Sequence, residues 1–242
     1  MENKIIGLSV VMPSYLRDYE GSRTNSSDKF IRAVKSFQEQ FLSKKELIIV
    51  SDGCEKTNEI YDSLFKDDPS IKLIRCEKVK ARWPGILREV GRAYASYDWI
   101  CYLDSDDLIA ENHLNVISSE ISSLKDEVVL LTTKCYHPLP DKPTQAFLDF
   151  MNMEKDQYLE WYNKIPIIKL NGVEYKITGR NWQTHTGTWQ IVHHRRARPR
   201  WENSEKVGED FKFIEHLKTV EKWKEASIGY YVIMHMANNI DF

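Results

Sequence analysis

Four short apolar runs, each ending in a polar turn, fix the class of the first half of this chain. Ile5 to Met12 (IIGLSVVM) is rich in β-branched residues and stops at Pro13. Glu46 to Val50 (ELIIV) ends at Ser51-Asp52-Gly53, Ile71 to Cys76 makes a third run, and Trp99 to Leu103 (WICYL) breaks off at Asp104-Ser105-Asp106-Asp107. Runs of this length without polar alternation predict strands buried on both faces. Between the first two, Asp28 is the expected cap of a helix whose Phe30, Ile31, Val34, Phe37 and Phe41 follow the 3.6-residue period, after a polar loop from Tyr15 to Ser27. A second helix runs through Ile60, Leu64 and Phe65, and a third, Gly85 to Ser96, puts Ile86, Val90 and Tyr94 on one face. Strand, helix, strand, helix, strand predicts a mostly parallel α/β sheet with right-handed crossovers. Ligands of such open sheets sit beyond the carboxyl ends of the strands. Three of the four runs end there in Pro-Ser-Tyr, Ser-Asp-Gly and Asp-Ser-Asp-Asp, so the polar chemistry collects on one edge.

The rhythm changes after a predicted helix near Leu114 to Leu124 and a strand at Val128 to Lys134. His137 to Asn181 carries Pro138, Pro140, Pro143 and Pro166 with little period. Gly187 to His194 (GTWQIVHH) then alternates like an amphipathic strand, Gly208-Glu209-Asp210 opens a helix through Phe211, Ile214 and Leu217, and Gly229 to Met236 reads as a last strand. No repeat and no linker interrupts the chain. The expected organisation is one domain over residues 1–242, with a nucleotide-binding half to about residue 127 and a specificity half on the same sheet.

A length of 242 residues suits that size. With 34 basic against 36 acidic side chains the net charge is -2, which gives no global attraction to nucleic acid or anionic lipid. Cys54, Cys76, Cys101 and Cys135 form no Cys-x-x-Cys pair and have no histidine at zinc-finger spacing, so free thiols in a reducing compartment are expected. No apolar stretch approaches the ~18 residues of a membrane span, and the amino terminus lacks the apolar core of a signal peptide. A cytoplasmic protein is the expectation, with peripheral membrane association as one way to reach a membrane-linked acceptor.

Asp104-Ser105-Asp106 is the strongest chemical signal. Carboxylates one residue apart in an extended turn can converge on a hard cation, because Mg²⁺ and Mn²⁺ want oxygen ligands and keep places for substrate phosphates. An isolated Asp-x-Asp is equally an Asx turn, so the pattern acquires meaning from the strand before it. Neither a Gly-x-x-x-x-Gly-Lys-Ser/Thr loop nor a Gly-x-Gly-x-x-Gly follows the first strand. A diphosphate could instead be gripped by metal and by arginines, with Arg82, Arg88 and Arg92 on or just before the third helix. Trp182 and Trp189 are candidate sugar-stacking residues for an acceptor.

Taken in order, Val10-Val11-Met12-Pro13-Ser14-Tyr15, Ile48-Ile49-Val50-Ser51-Asp52-Gly53, Leu87-Arg88-Glu89-Val90-Gly91, Leu103-Asp104-Ser105-Asp106-Asp107 and Gly208-Glu209-Asp210 resemble the family 2 glycosyltransferases of GT-A fold. The resemblance runs from about Ile5 to about Leu217. It implies that Tyr15 after Pro13 stacks on the nucleotide base and that Asp52 binds its edge, with Ser51 in place of the usual first acid. Arg88 would lie near base or phosphate, although Glu89 stands where Asn is usual. Asp104 and Asp106, with Ser105 between them, would hold a divalent metal and the donor diphosphate. Asp210 would be the base that removes the acceptor hydroxyl proton, with Glu209 as its possible substitute or a helix cap. His235 would complete the metal site, and the basic run His193 to Arg200 would border the diphosphate and acceptor. The expected activity is a metal-dependent inverting glycosyltransferase using Mn²⁺ or Mg²⁺ and a nucleotide sugar, most simply a UDP-sugar, on a saccharide or other hydroxyl acceptor. The rival readings are a sugar-nucleotide nucleotidyltransferase and a noncatalytic nucleotide-sugar or glycan-binding protein.

Overall fold

A computed structural model describes residues 5–16, 25–78, 84–143, 145–170, 173–181, 187–202, 208–228 and 231–232. The first half follows the predicted alternation: β1 (Leu8–Ser14), α1 (Ser26–Gln38), β2 (Lys45–Asp52), α2 (Glu55–Leu64), β3 (Ile71–Cys76), α3 (Gly85–Ala93) and β4 (Trp99–Tyr102). β1 pairs in parallel with both β2 and β4, and β2 pairs in parallel with β3. Successive residues of each strand feed opposite layers. Val10, Met12, Leu47 and Ile49 join Phe30, Val34 and Phe37 of α1 on one face. Val11, Ile48, Val50 and Ile100 join Leu87 of α3 on the other, which is why these strands are apolar at almost every position.

Beyond β4 the chain continues through β5 (Leu108–Ile109), α4 (His113–Ser122), β6 (Val129–Thr132), β7 (Lys134–Pro138), α5 (Gln145–Met151), α6 (Lys155–Lys164), β8 (Ile167–Leu170) and β9 (Val173–Asn181). A 3-10 turn at Thr188–Gln190 leads into β10 (Ile191–His194), followed by α7 (Glu209–Val220), β11 (Trp223–Ala226) and β12 (Tyr231–Val232). The main sheet has the order β11-β6-β10-β4-β1-β2-β3, and a second has the order β5-β12-β7-β9-β8. β10 lies antiparallel between β4 and β6. The expected α/β class with a mostly parallel central sheet flanked by helices is the one observed.

Several boundaries differ from the sequence reading. Asn25, in the left-handed region at φ 57, precedes the first turn of α1, and Asp28 lies inside that turn, where the helix dipole favours an acid. Phe41 lies past the end of α1 and is 69% exposed. The helix stops because Lys45 Nζ satisfies its last carbonyls, donating to Phe37 O at 3.0 Å and Gln38 O at 2.8 Å. On α3 the buried face is Leu87, Arg88, Gly91 and Arg92 rather than the one carrying Tyr94, which is exposed. The run Val128 to Lys134 divides at Thr133, one part entering each sheet. Only the second half of Gly187 to His194 is strand. The proline-bearing stretch folds as β7 to β9 with α5 and α6, and β5 and β11 are additions. Of Gly229 to Met236, Tyr231 and Val232 are described and form β12. All four cysteines are free thiols, and among the described residues no helix is long and apolar enough to cross a membrane.

Candidate active site at the carboxyl edge of the sheet

The turn after β4 is held from three directions. Asp107 N–H donates to Asp104 O at 3.1 Å and closes it. Arg32 of α1 donates to the Asp106 carbonyl at 2.7 Å, and Arg88 Nη2 donates to Asp104 Oδ1 at 2.9 Å. Asp104, Ser105 and Asp106 keep partial exposure, whereas Asp107 is buried.

Arg88 is the hub. Its guanidinium is buried 4.9 Å from the Trp201 ring centroid, and Nη1 donates to Glu209 Oε1 at 2.5 Å. Glu209 Oε2 accepts from Gly85 N–H at 3.0 Å, so this carboxylate spans the first turns of α3 and α7, where the dipoles of both helices favour it. A Cβ at Gly85 would meet Glu209 Oε2 at 2.8 Å, and glycine is what lets the acid approach. Asp210, next in the chain, is partly exposed and accepts the Phe211 N–H at 2.8 Å on Oδ1. Burial raises its carboxyl above the usual aspartate range, outweighing the Phe211 amide and Arg88, and the charge of Asp104 adds to the rise.

Tyr15, just past β1, and Asp52, at the end of β2, lie on neighbouring strands whose register pairs Ser14 with Ser51. Pro13 is buried within β1. Lys78 Nζ donates to the Tyr15 hydroxyl at 2.9 Å and lies 4.8 Å from its ring centroid. Gly53, at φ 56, turns the chain out of β2 and donates to Cys76 O at 3.0 Å.

The model of glycosyl transferase family 2 matches residues 9–200. The chain belongs to glycosyl transferase family 2. The chain is 30% identical over 108 residues to an uncharacterized glycosyltransferase of Haemophilus influenzae, a match covering 44% of the chain and 39% of that relative. It is 23% identical over 124 residues to glycosyltransferase GlyG of Streptococcus pneumoniae, covering 51% and 38%. It therefore spans well under half the length of these curated relatives. The crystal structure of S. aureus TarS 1-349 superposes with a TM-score of 0.65 at 16% identity, covering 96% of this chain and 62% of that one. The same protein with UDP gives 0.64 at 18% and with UDP-GlcNAc 0.63 at 16%, likenesses of fold.

Other predicted site residues of this family 2 chain are placed differently. Trp189 is partly buried and packs on the main core. Arg92 is buried, and its guanidinium donates to the carbonyls of Pro199, Arg195 and Ala197, so it shapes the segment after β10 rather than facing phosphate. That segment also departs from expectation. Because β10 runs antiparallel, His194 lies opposite Trp99 and Arg195 N–H donates to Asp98 O at 2.6 Å, at the edge away from Asp104. Arg195 and Arg196 are thus remote from the acids, and His193 is fully buried. The chain returns towards the site only at Arg200 to Glu202. There a small open cleft is lined by Arg200, Glu202, Glu209, Lys212, Phe213 and His216. Arg82, Trp182 and His235 lie outside the described residues. Sequence patterning missed Lys78, the engagement of Glu209, and Phe211, whose ring is 52% exposed beside Asp210 instead of facing the core. Of the last, its adjacency to Asp210 was the available signal.

Proposed function

We propose that this family 2 enzyme moves one sugar from a nucleotide-sugar donor, a UDP-sugar, to a hydroxyl of a saccharide or similar acceptor, inverting the anomeric carbon. The observation that carries the reading is the gathering of Asp104, Glu209 and Asp210 around one buried guanidinium at the strand ends. The donor class draws support from TarS 1-349, whose crystal structures include complexes with UDP and UDP-GlcNAc. In this reading Tyr15 and Pro13 receive the base, Asp52 its edge, and Ser105 and Arg82 border the diphosphate. A cytoplasmic setting accords with four free thiols.

Asp104 and Asp106 are the proposed ligands of Mn²⁺ or Mg²⁺. Among the described residues no three His, Cys, Asp or Glu side chains are grouped to hold a metal. Two partly exposed carboxylates nevertheless fit a hard cation whose remaining places go to phosphate and water. Arg88 holds the Asp104 carboxylate in place, and that partly exposed carboxylate would supply an oxygen to the cation. When bound, the cation offsets the charge that gathers on the departing nucleoside diphosphate. Asp210 takes the proton from the acceptor hydroxyl as that oxygen attacks opposite the leaving group. Its raised carboxyl is a stronger base than a fully solvated aspartate. Arg88 and Glu209 are positioning residues, because their polar atoms hold one another, Gly85 and Asp104.

The test is UDP release from a panel of UDP-sugars and acceptors with and without Mn²⁺, read beside UDP binding. Asp210→Asn is expected to lower kcat by roughly 10²–10⁴-fold while UDP still binds. Asp106→Ala is expected to lose Mn²⁺-dependent UDP binding too. Wild-type transfer in either variant refutes the role given to that residue, and pyrophosphate release from a nucleoside triphosphate and a sugar phosphate would favour nucleotidyl transfer instead.

A further inference from the structure

Asp104 is gripped at its carboxylate by Arg88, and a second grip holds its backbone from the far end of the chain. Asp104 N–H donates to the Tyr231 hydroxyl at 3.0 Å, and that hydroxyl donates to Asp107 Oδ2 at 3.1 Å. Tyr231 and Asp107 are each 1% exposed, so water does not substitute readily for either partner. The direction of the chain of bonds is forced. A backbone amide only donates, so the Tyr231 oxygen accepts from Asp104 and its single phenolic proton is left for Asp107 Oδ2. Tyr231 itself is fixed by strand pairing: β12 pairs antiparallel with β5, directly after the acidic turn, and parallel with β7. The His113 ring stands edge-on at 6.2 Å between centroids.

We propose that Tyr231, oriented by Asp107, is a positioning residue that sets the direction of Asp104 and so the affinity of the site for a metal-bound nucleoside diphosphate. This rests on the assignment of Asp104 and Asp106 as cation ligands. Arg88 holds the carboxylate and Asp107 N–H holds the Asp104 carbonyl within the turn; the Tyr231 hydroxyl adds an anchor for the amide on a separate element, β12. The inference brings into the donor site a residue more than 120 positions away in sequence, on the second sheet.

The experiment titrates UDP into the full chain by calorimetry with and without Mn²⁺, for wild type, Tyr231→Phe and Tyr158→Phe. Tyr158 is a matched control, since its hydroxyl is as deeply buried and donates to Pro140 O at 2.6 Å, but it lies on α6. Tyr231→Phe is expected to weaken Mn²⁺-dependent UDP binding about tenfold, the worth of roughly one lost hydrogen bond, with binding in the absence of metal unchanged. Tyr158→Phe is expected to lower the melting temperature and leave UDP affinity within twofold of wild type. Tyr231→Phe binding UDP and Mn²⁺ as wild type does would overturn the inference. If Tyr231→Phe does not fold, Asp107→Asn keeps an acceptor while weakening the hold on the hydroxyl, and unchanged Mn²⁺-dependent binding in that variant overturns it equally. A wild type whose UDP binding ignores Mn²⁺ would instead remove the metal assignment on which it stands.

Discussion

Asp210 and Glu209 are neighbours in sequence with opposite surroundings, and this separates their predicted phenotypes. In the proposed mechanism Asp210 is the base and must be deprotonated, so activity is expected to fall as pH drops through its pKa. Burial raises that pKa, and the acid limb of kcat/KM is therefore expected above the usual aspartate range. A limb at or below the value of a solvated aspartate would remove Asp210 as the base. Glu209 bonds Arg88 and Gly85 through its two oxygens, so Glu209→Gln is expected to cost about 1–3 kcal/mol of stability, read as a lower urea midpoint, while retaining more transfer than Asp210→Asn. That Asp104 and the Gly-Glu-Asp segment serve one site was legible only through the family resemblance, since the two motifs lie about a hundred residues apart and no local period connects them. Which of the two adjacent acids is engaged was not, since a helix cap and a base are the same residue types at the same place.

The elements owe their placement to close approach, and α3 shows it best. A Cβ at Gly91 would lie 2.3 Å from Val11 Cγ1 and 3.2 Å from Val50 Cγ2, both fully buried on β1 and β2. Neither branched side chain can swing away, so Gly91→Ala is expected to destabilise by about 1–3 kcal/mol through overpacking. At this chain length that is a loss of roughly 2–4 °C in Tm per kcal/mol. An unchanged Tm would mean that α3 sits further from the sheet. Moving α3 also moves Arg88, so weaker UDP binding should accompany the loss. Strands β1, β2 and β4 were legible because burial on both faces leaves a nearly unbroken apolar run, and the edge strand β3 because it continues the strand-helix alternation. The direction of β10 was not: a two-residue period reports which face a side chain takes and is silent on which way the strand runs. That one reversal carries the start of the basic run, through Arg195 and Arg196, away from the acids.

At the scale of the whole molecule, two fully enclosed histidines make stability depend on pH. His193 Nε2 accepts from the Tyr102 hydroxyl at 2.8 Å, Nδ1 donates to His194 O at 3.1 Å, and Trp201 Nε1 donates to Tyr102 at 2.7 Å, a chain that requires a neutral imidazole. Burial lowers the pKa of His193 and of His113 to about 3. Unfolding returns each towards 6.5, so the unfolded chain binds more protons between these values. Stability is complete above about pH 6.5 and is lost as pH falls towards 3. At pH 5 each histidine contributes a loss of up to about 2 kcal/mol, and His193→Gln should flatten the fall in urea midpoint between pH 7 and 5. An unaltered slope would place the proton uptake elsewhere. The sequence showed where the sheet begins but not how it is finished: β4 is flanked by β10, and β5 by β12, segments that arrive from residues 191–194 and 231–232. A ribosome releasing the first 127 residues would therefore hold an apolar strand edge with no neighbour and an acidic turn without its tether. The two halves are not modules to be exchanged between relatives; the acidic turn is tethered only once the late strand has come back.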